Sequence, residues 1–314
     1  MKAVLHFRAS PGFRAMLTRE TPDWLDLATV EEDDTDGFAA AMQEAEVLLH
    51  VLEPVTAAMI AAAPKLKLIQ KLGVGVNTID LEAARAQGVA VANMPGTNSQ
   101  AVAEMTLALM LAVLRRVPLL DRAMRSGEGW ALPDHFFDET GEIAGRTVGL
   151  VGYGEVPRRL APVLTVLGAK VVYASRSNKP GAVGQRLPLA DLLAEADIVS
   201  LHLPLTDETA GLIDIAAIGR MKQGAILINT ARGGLVDEKA LAAALKSRRI
   251  AMAGLDTFAV EPTGGGNPLF VLENVVTTPH IAYLTPETFG RSLRVAFENC
   301  ERIRDSKEIN HKIV

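Results

Sequence analysis

Val148-Gly149-Leu150-Val151-Gly152-Tyr153-Gly154-Glu155-Val156-Pro157 decides the fold. A short apolar run ends in two glycines one residue apart, and a helix-forming stretch, Arg158 to Leu167, follows. Glycine permits a tight turn and a close approach of backbone to a pyrophosphate. The helix start adds unpaired N–H groups and the positive end of a dipole. A full fingerprint would have glycine where Pro157 stands. Proline is tolerated in a first helical turn, where its missing N–H has no acceptor. Taken alone, Gly-x-Gly also fits a bare turn. Between a strand and a helix it reads as a dinucleotide loop built from Gly152, Tyr153, Gly154, Glu155 and Val156, with Arg158 beside the phosphates.

Outward from this loop the chain alternates strand and helix signals. Thr147–Val151, Lys170–Ala174, Ile198–Leu203, Ala225–Asn229, Ala251–Leu255 and Val275–Thr277 are mostly continuous apolar runs, as strands covered on both faces require. Leu189–Glu195 and Glu238–Lys246 read as helices between them. An earlier series, Val4–Phe7, Val47–Val51, Leu66–Leu72 and Val89–Val91, encloses helices at Thr56–Ala63 and Leu81–Gln87, capped by Thr56 and Asp80. Asn93 to Ser99, with Pro95-Gly96, is a loop ahead of a long helix from Gln100 to about Leu114. Gly127 to Gly145 reads as loop, and a last helix runs from about Pro286 to Arg304. The pattern predicts an α/β protein with parallel sheets covered on both faces.

Three strand ends carry ionisable side chains. Arg232 follows Asn229-Thr230-Ala231, Glu261 follows Asp256, and His280 follows Thr278-Pro279. Ligands bind beyond the carboxyl ends of strands in open parallel sheets, so the three together suggest an acid–base site. A fourth strand end reads Tyr173-Ala174-Ser175-Arg176-Ser177-Asn178-Lys179. An acidic residue there would bind ribose hydroxyls. Ser175, Arg176 and Lys179 suit a 2′-phosphate instead, which favours NADP over NAD, although a surface arginine in a turn has the same sequence.

Length and composition set the class. The 314 residues favour about two domains, 49% are hydrophobic and 22% charged, and the net charge is −5. That balance argues against nucleic acid as a partner. No apolar stretch is long enough to span a membrane, and the N-terminus lacks a signal-peptide core. The one cysteine, Cys300, fits a reducing cytoplasm. No metal is called for.

Taken in order, several motifs resemble the D-isomer-specific 2-hydroxyacid dehydrogenases, the family of glyoxylate/hydroxypyruvate reductases and D-3-phosphoglycerate dehydrogenases. They are Gly73-Val74-Gly75 with Ile79-Asp80; Asn98-Ser99 through Val102-Ala103-Glu104; and Gly149 to Gly154. Leu203-Pro204-Leu205-Thr206 with Thr209, Asn229 to Gly233, Asp256 with Glu261-Pro262, and Thr278-Pro279-His280-Ile281 complete the series. The resemblance covers nearly the whole chain. It implies two doubly wound domains with a cleft between: a flavodoxin-like substrate domain, 1–98 plus 284–314, and a Rossmann cofactor domain, 99–283. It implies a homodimer packed through the helix from Gln100.

It also assigns roles. His280 is the general acid and Glu261 its partner. Arg232 anchors the substrate carboxylate, and the backbone N–H groups of Val74 and Gly75 cradle it. Asp256 bonds the nicotinamide carboxamide; a turn cap is its other reading. Pro204, Thr209, Thr230, Ala231 and Ala282, with Arg232 and His280, line the cofactor. His202 belongs either to the adenine side or to the core.

Substrate is read from departures. Phosphoglycerate enzymes are expected to carry basic side chains before Thr56, whereas this chain has Leu52-Glu53-Pro54, and Glu53 repels a dianion. The chain end at Val314 leaves no room for an added regulatory domain. Both features favour a glyoxylate- or hydroxypyruvate-type 2-oxo acid. The alternatives are phosphoglycerate oxidation and a non-catalytic, dinucleotide-sensing partner-binding protein. Tyr283 stands where the family often has a small residue; it either gates the pocket or packs locally.

Overall fold

A computed structural model describes residues 1–314, His135 by its backbone alone. The chain divides into two compact units, residues 1–98 with 284–314, and residues 99–283. The first is wound from β1 (Lys2–His6), α1 (Pro11–Glu20), β2 (Asp26–Val30), α2 (Thr35–Met42), β3 (Val47–His50), α3 (Ala57–Ala61), β4 (Leu68–Lys71), α4 (Leu81–Ala86) and β5 (Ala90–Ala92). Its sheet order is β2-β1-β3-β4-β5, all parallel, the flavodoxin-like order. Thr56 and Asp80 cap α3 and α4 through Met59 N and Ala83 N.

The second unit opens with α5 (Ser99–Leu114) and α6 (Val117–Ser126), broken apart at Arg116, whose φ of 54° is left-handed. A 3-10 turn, Asp134–Glu139, lies in the stretch expected to be loop. Then follow β6 (Thr147–Val151), α7 (Glu155–Val166), β7 (Lys170–Ala174), β8 (Gln185–Arg186), α8 (Leu189–Glu195), β9 (Ile198–Leu201), α9 (Ile215–Arg220), β10 (Ala225–Asn229), α10 (Glu238–Lys246), β11 (Ile250–Leu255) and β12 (Val275–Thr277). The sheet runs β12-β11-β10-β9-β6-β7-β8, again parallel. Reversal of winding beside β6 is the Rossmann arrangement. Each strand feeds two cores: Val148 and Leu150 pack with Leu160 and Met110 on one face, while Val151 and Val172 pack with Leu192 and Leu241 on the other. That is why these strands read as unbroken apolar runs.

The final helix, α11 (Pro286–Arg304), belongs to the first unit. Phe289 packs on Phe7 and Phe13, and Asn299 Nδ2 donates to Gln70 Oε1 at 2.6 Å in the core. No helix among the described residues is long and apolar enough to cross a membrane.

Candidate active site

His280 and Glu261 meet. His280 Nδ1 is 2.6 Å from Glu261 Oε2, and Glu261 Oε1 accepts Phe258 N–H at 2.8 Å. Both side chains are partly exposed. Burial alone would raise the Glu261 pKa. The hydrogen bonds from His280 and Phe258, with the charges of His280 and Arg232, outweigh it and hold the carboxyl below its ordinary value. Arg232 is the third member. Burial lowers its pKa and the field of Glu261 raises it, so the carboxylate faces both a guanidinium and an imidazole.

The local sequence builds this arrangement. Arg232 follows β10, where Asn229 Nδ2 donates to Arg232 O at 2.9 Å and Asn229 Oδ1 accepts Ala231 N–H at 3.0 Å. The guanidinium also bonds its neighbour, Nη1 to Ala231 O at 2.6 Å. A Cβ on Gly233 would fall 1.8 Å from the Phe258 carbonyl carbon, so only glycine lets the Arg232 turn lie against the segment that leads to Glu261. The Gly-Gly pair therefore has its cause in backbone packing.

His280 sits at φ 53°, a left-handed conformation costly for a residue with a side chain. Its N–H donates to Asp256 O at 2.7 Å. Asp256 is fully buried. Its Oδ1 accepts from Thr278 Oγ1 at 2.6 Å and Ile281 N at 2.9 Å, and its Oδ2 from Ala282 N at 2.9 Å. These bonds let Asp256 organise the loop that presents His280, as its turn-cap reading expects. Tyr283 packs edge-on to the His280 ring, 6.2 Å between centroids.

The glycine loop fits a dinucleotide. Gly152 has φ 98°, and a Cβ there would lie 2.4 Å from His202 O, so no other residue serves. Gly154 opens into free space and caps α7, with no side chain bonded to the first-turn N–H groups. Those N–H groups are what a phosphate would use. Pro157, at the third helical position, is buried, and α7 starts at Glu155 rather than Arg158 because that position needs no intrahelical acceptor. A cavity of about 650 Å³ adjoins the loop. It is lined by Val151, Ser175, Arg176, Asn178, Thr209 and Arg186 among others, none of them acidic.

Other expected contacts lie differently. The Tyr153 side chain is buried against Tyr173, its hydroxyl bonded to both N and O of Val183, so only its backbone faces the turn. Arg158 Nη1 donates to Pro180 O at 3.3 Å, and its guanidinium lies 5.9 Å from the Tyr153 ring centre. Ser175 Oγ donates to Ser177 O within its own turn. Thr209 Oγ1 donates to Pro204 O at 2.7 Å and accepts Thr206 N–H, shaping the cavity rim. Thr230 is buried, its hydroxyl 2.8 Å from Thr106. His202 is half-buried, 2.9 Å from Ser200 Oγ, and desolvation pushes its pKa down to about 3. Val74 and Gly75 follow β4 in the five-stranded unit, Val74 O accepting Asn93 Nδ2. Sequence reasoning missed Arg186 beside the cavity and Lys71 at the end of β4; a lone basic residue in a short run carried no signal.

A family model, "D-isomer specific 2-hydroxyacid dehydrogenase, NAD binding domain", matches residues 107–282. The chain belongs to the D-isomer-specific 2-hydroxyacid dehydrogenase family. It is 43% identical over 275 residues to a D-3-phosphoglycerate dehydrogenase of Mycobacterium tuberculosis, covering 86% of this chain and 51% of that one. It therefore spans about half the length of the phosphoglycerate dehydrogenases it matches. A glyoxylate reductase of Aeropyrum pernix is 41% identical over 267 residues, 82% of this chain and 79% of that one. Among solved structures, the TT0316 protein of Thermus thermophilus superposes with a TM-score of 0.89 at 35% identity over the whole of both chains.

Proposed function

We propose that the protein catalyses the reversible reduction of a small 2-oxo acid, of the glyoxylate or hydroxypyruvate type, to the D-2-hydroxy acid, with NADPH preferred over NADH. The observation that carries this reading is the His280–Glu261 pair with Arg232 beside it. Glu261 accepts at Nδ1 and leaves Nε2 to protonate the carbonyl oxygen of the substrate, and to take that proton back in oxidation. The carboxylate also stabilises the imidazolium. Arg232 grips the substrate carboxylate with a planar fork that lysine lacks. Val74 and Gly75, after β4, carry backbone N–H groups of the kind that suit a carboxylate. The glycine loop and the first turn of α7 would hold the pyrophosphate of a dinucleotide, whose reduced nicotinamide would supply the hydride.

NADPH is favoured because no acidic residue follows β7 and Arg176 lines the cavity. A small uncharged side group is favoured by Glu53, which is exposed and whose field helps raise the pKa of Glu32, after burial as the larger cause. Lys71, buried at the end of β4, supports the other reading, phosphohydroxypyruvate, the substrate class suggested by the Mycobacterium relative's name. Exposed Leu111, Val117 and Met124 on α5 and α6 support a homodimer, and buried Cys300 suits a cytoplasmic setting.

A spectrophotometric panel of 2-oxo acids against NADPH and NADH tests the reading. Fastest turnover is expected with glyoxylate or hydroxypyruvate and NADPH. Greater activity with phosphohydroxypyruvate would reverse the substrate ranking. Absence of turnover with every acid would make the chain a dinucleotide sensor.

A further inference from the structure

β8 is two residues long and pairs with β7 only at Val172–Gln185 and Tyr173–Arg186. Gly184 makes that pairing possible. Its φ is +103°, and a Cβ there would lie 2.6 Å from Val171 O. The short strand delivers Arg186 to the carboxyl end of β7. There its Nε and Nη2 donate to Ser175 O at 3.1 and 2.9 Å, and Nη2 reaches Arg176 O at 3.1 Å. Nη1 makes no hydrogen bond among the described residues. Arg176 and Arg186 both line the cavity beside the glycine loop, with Asn178 and no carboxylate.

Two consequences follow from elementary electrostatics. The carbonyls of Ser175 and Arg176 would present partial negative charge near any anion held in that cavity, and Arg186 covers them. A forked guanidinium bonded to two successive carbonyls also fixes the turn from which the Arg176 side chain departs.

We propose that Arg186 is a specificity-determining residue for the 2′-phosphate of NADPH. It holds the Ser175–Arg176 turn so that Arg176 stays at the cavity, and it lends Nη1 as a second donor to the same phosphate. This rests on the NADPH preference above and adds the residue that enforces it. The geometry separates it from the pyrophosphate machinery, since Arg186 touches neither the glycine loop nor α7 in any bond of the structure.

Equilibrium binding tests the assignment without turnover. Titrations of 2′,5′-ADP, 5′-AMP, NADPH and NADH are run on the wild type, Arg176→Ala, Arg186→Ala and Arg186→Gln, each checked for an unchanged unfolding midpoint. Arg186→Ala should weaken 2′,5′-ADP and NADPH about tenfold, the scale of one charge-assisted hydrogen bond. NADH and 5′-AMP should move less than about twofold. Arg186→Gln, which keeps a donor for the carbonyls but no charge, should lose most of the same discrimination. A wild type that binds 2′,5′-ADP no tighter than 5′-AMP overturns the NADPH preference and this assignment with it. A wild type that discriminates, and loses discrimination in Arg176→Ala but not in either Arg186 variant, overturns the Arg186 assignment alone. Equal weakening of NADPH and NADH by both Arg186 variants also overturns it, as general damage to the turn.

Discussion

Both sheets end in ionisable residues, but they use them differently. In the five-stranded unit, β1, β3 and β4 terminate in His6, His50 and Lys71, all buried. His6 stacks on Phe38 at 4.1 Å. His50 spends Nε2 on Glu53 O and Thr78 Oγ1, its Nδ1 finds no partner, and burial first and Lys71 second push its pKa to about 3. In the seven-stranded unit the strand ends carry Arg232 and the loop to His280, and each faces a carboxylate that water also reaches. An imidazole locked neutral by its neighbours cannot shuttle protons near pH 7. The His280 ring instead has the partly exposed Glu261 carboxylate as its partner. Position at a strand's carboxyl end is therefore shared by both, and under the proposed function the partner is what sets His280 apart.

The sharpest way to break this contrast is to exchange the histidines' importance. His280→Ala should lower kcat about a thousandfold, the usual worth of a placed general acid, with NADPH affinity nearly unchanged. His50→Gln should leave kcat within about threefold. Steady-state kinetics with parallel cofactor titrations would check both. Full activity in His280→Ala across pH would move the proton donor elsewhere.

Next in size is the glycine that seats Arg232. Gly233→Ala drives a methyl into the backbone at Phe258, which must move, at about 3 kcal/mol. In the five-stranded unit, Gly96 has φ +91° but open space around its missing Cβ. Gly96→Ala should cost only the left-handed backbone, about 1 kcal/mol. Urea unfolding of the two variants measures the difference. Equal losses would mean that the Arg232 turn is not held against Phe258.

The two units also differ in how much their sequence disclosed. Strands β6, β7, β10 and β12 and helices α8, α10 and α11 have the bounds that their apolar runs and caps indicate. β6, β7 and β10 lie inside the sheet and are almost wholly buried, so nothing interrupts their apolar signal. β2 was not legible: it is an edge strand, Asp-Leu-Ala-Thr-Val, with exposure alternating along it and a single buried residue. α6 was not singled out although Val117, Leu120 and Met124 recur at helical spacing; among the described residues none of α6 is buried. At the site, Arg232, Glu261 and His280 were legible because each follows a strand with a distinctive neighbour. The inward turn of Asp256, the Tyr153 hydroxyl bond to Val183 and the pairing of β8 depend on contacts between distant segments, which no local pattern encodes.

The last effect expected is on acid stability, and it compares the units directly. His50 in one and His202 in the other each fall from an ordinary 6.5 to about 3 in the fold, mainly by desolvation. The unfolded chain therefore takes up these protons first as pH drops. Between pH 6.5 and 3 it holds more protons than the native state, so stability declines on acidification through that window. By pH 5 each histidine should cost roughly 2 kcal/mol. Glu261 is shifted in the same direction, downward, but from a lower starting value. A carboxyl depressed in the fold stabilises above its unfolded value and loses that contribution only below about pH 4.5, so it does not contribute to the decline from pH 6.5 to 5. Hydrogen exchange resolved by peptide, at pH 7 and pH 5 with intrinsic rates corrected, separates the two histidines. His50→Gln should flatten the pH dependence of opening in peptides of β3 and β4, and His202→Gln that of β6 and β9. If neither substitution changes the slope in its own sheet, the two imidazoles are solvated in the native protein, and the contrast between His50 and His280 no longer rests on burial.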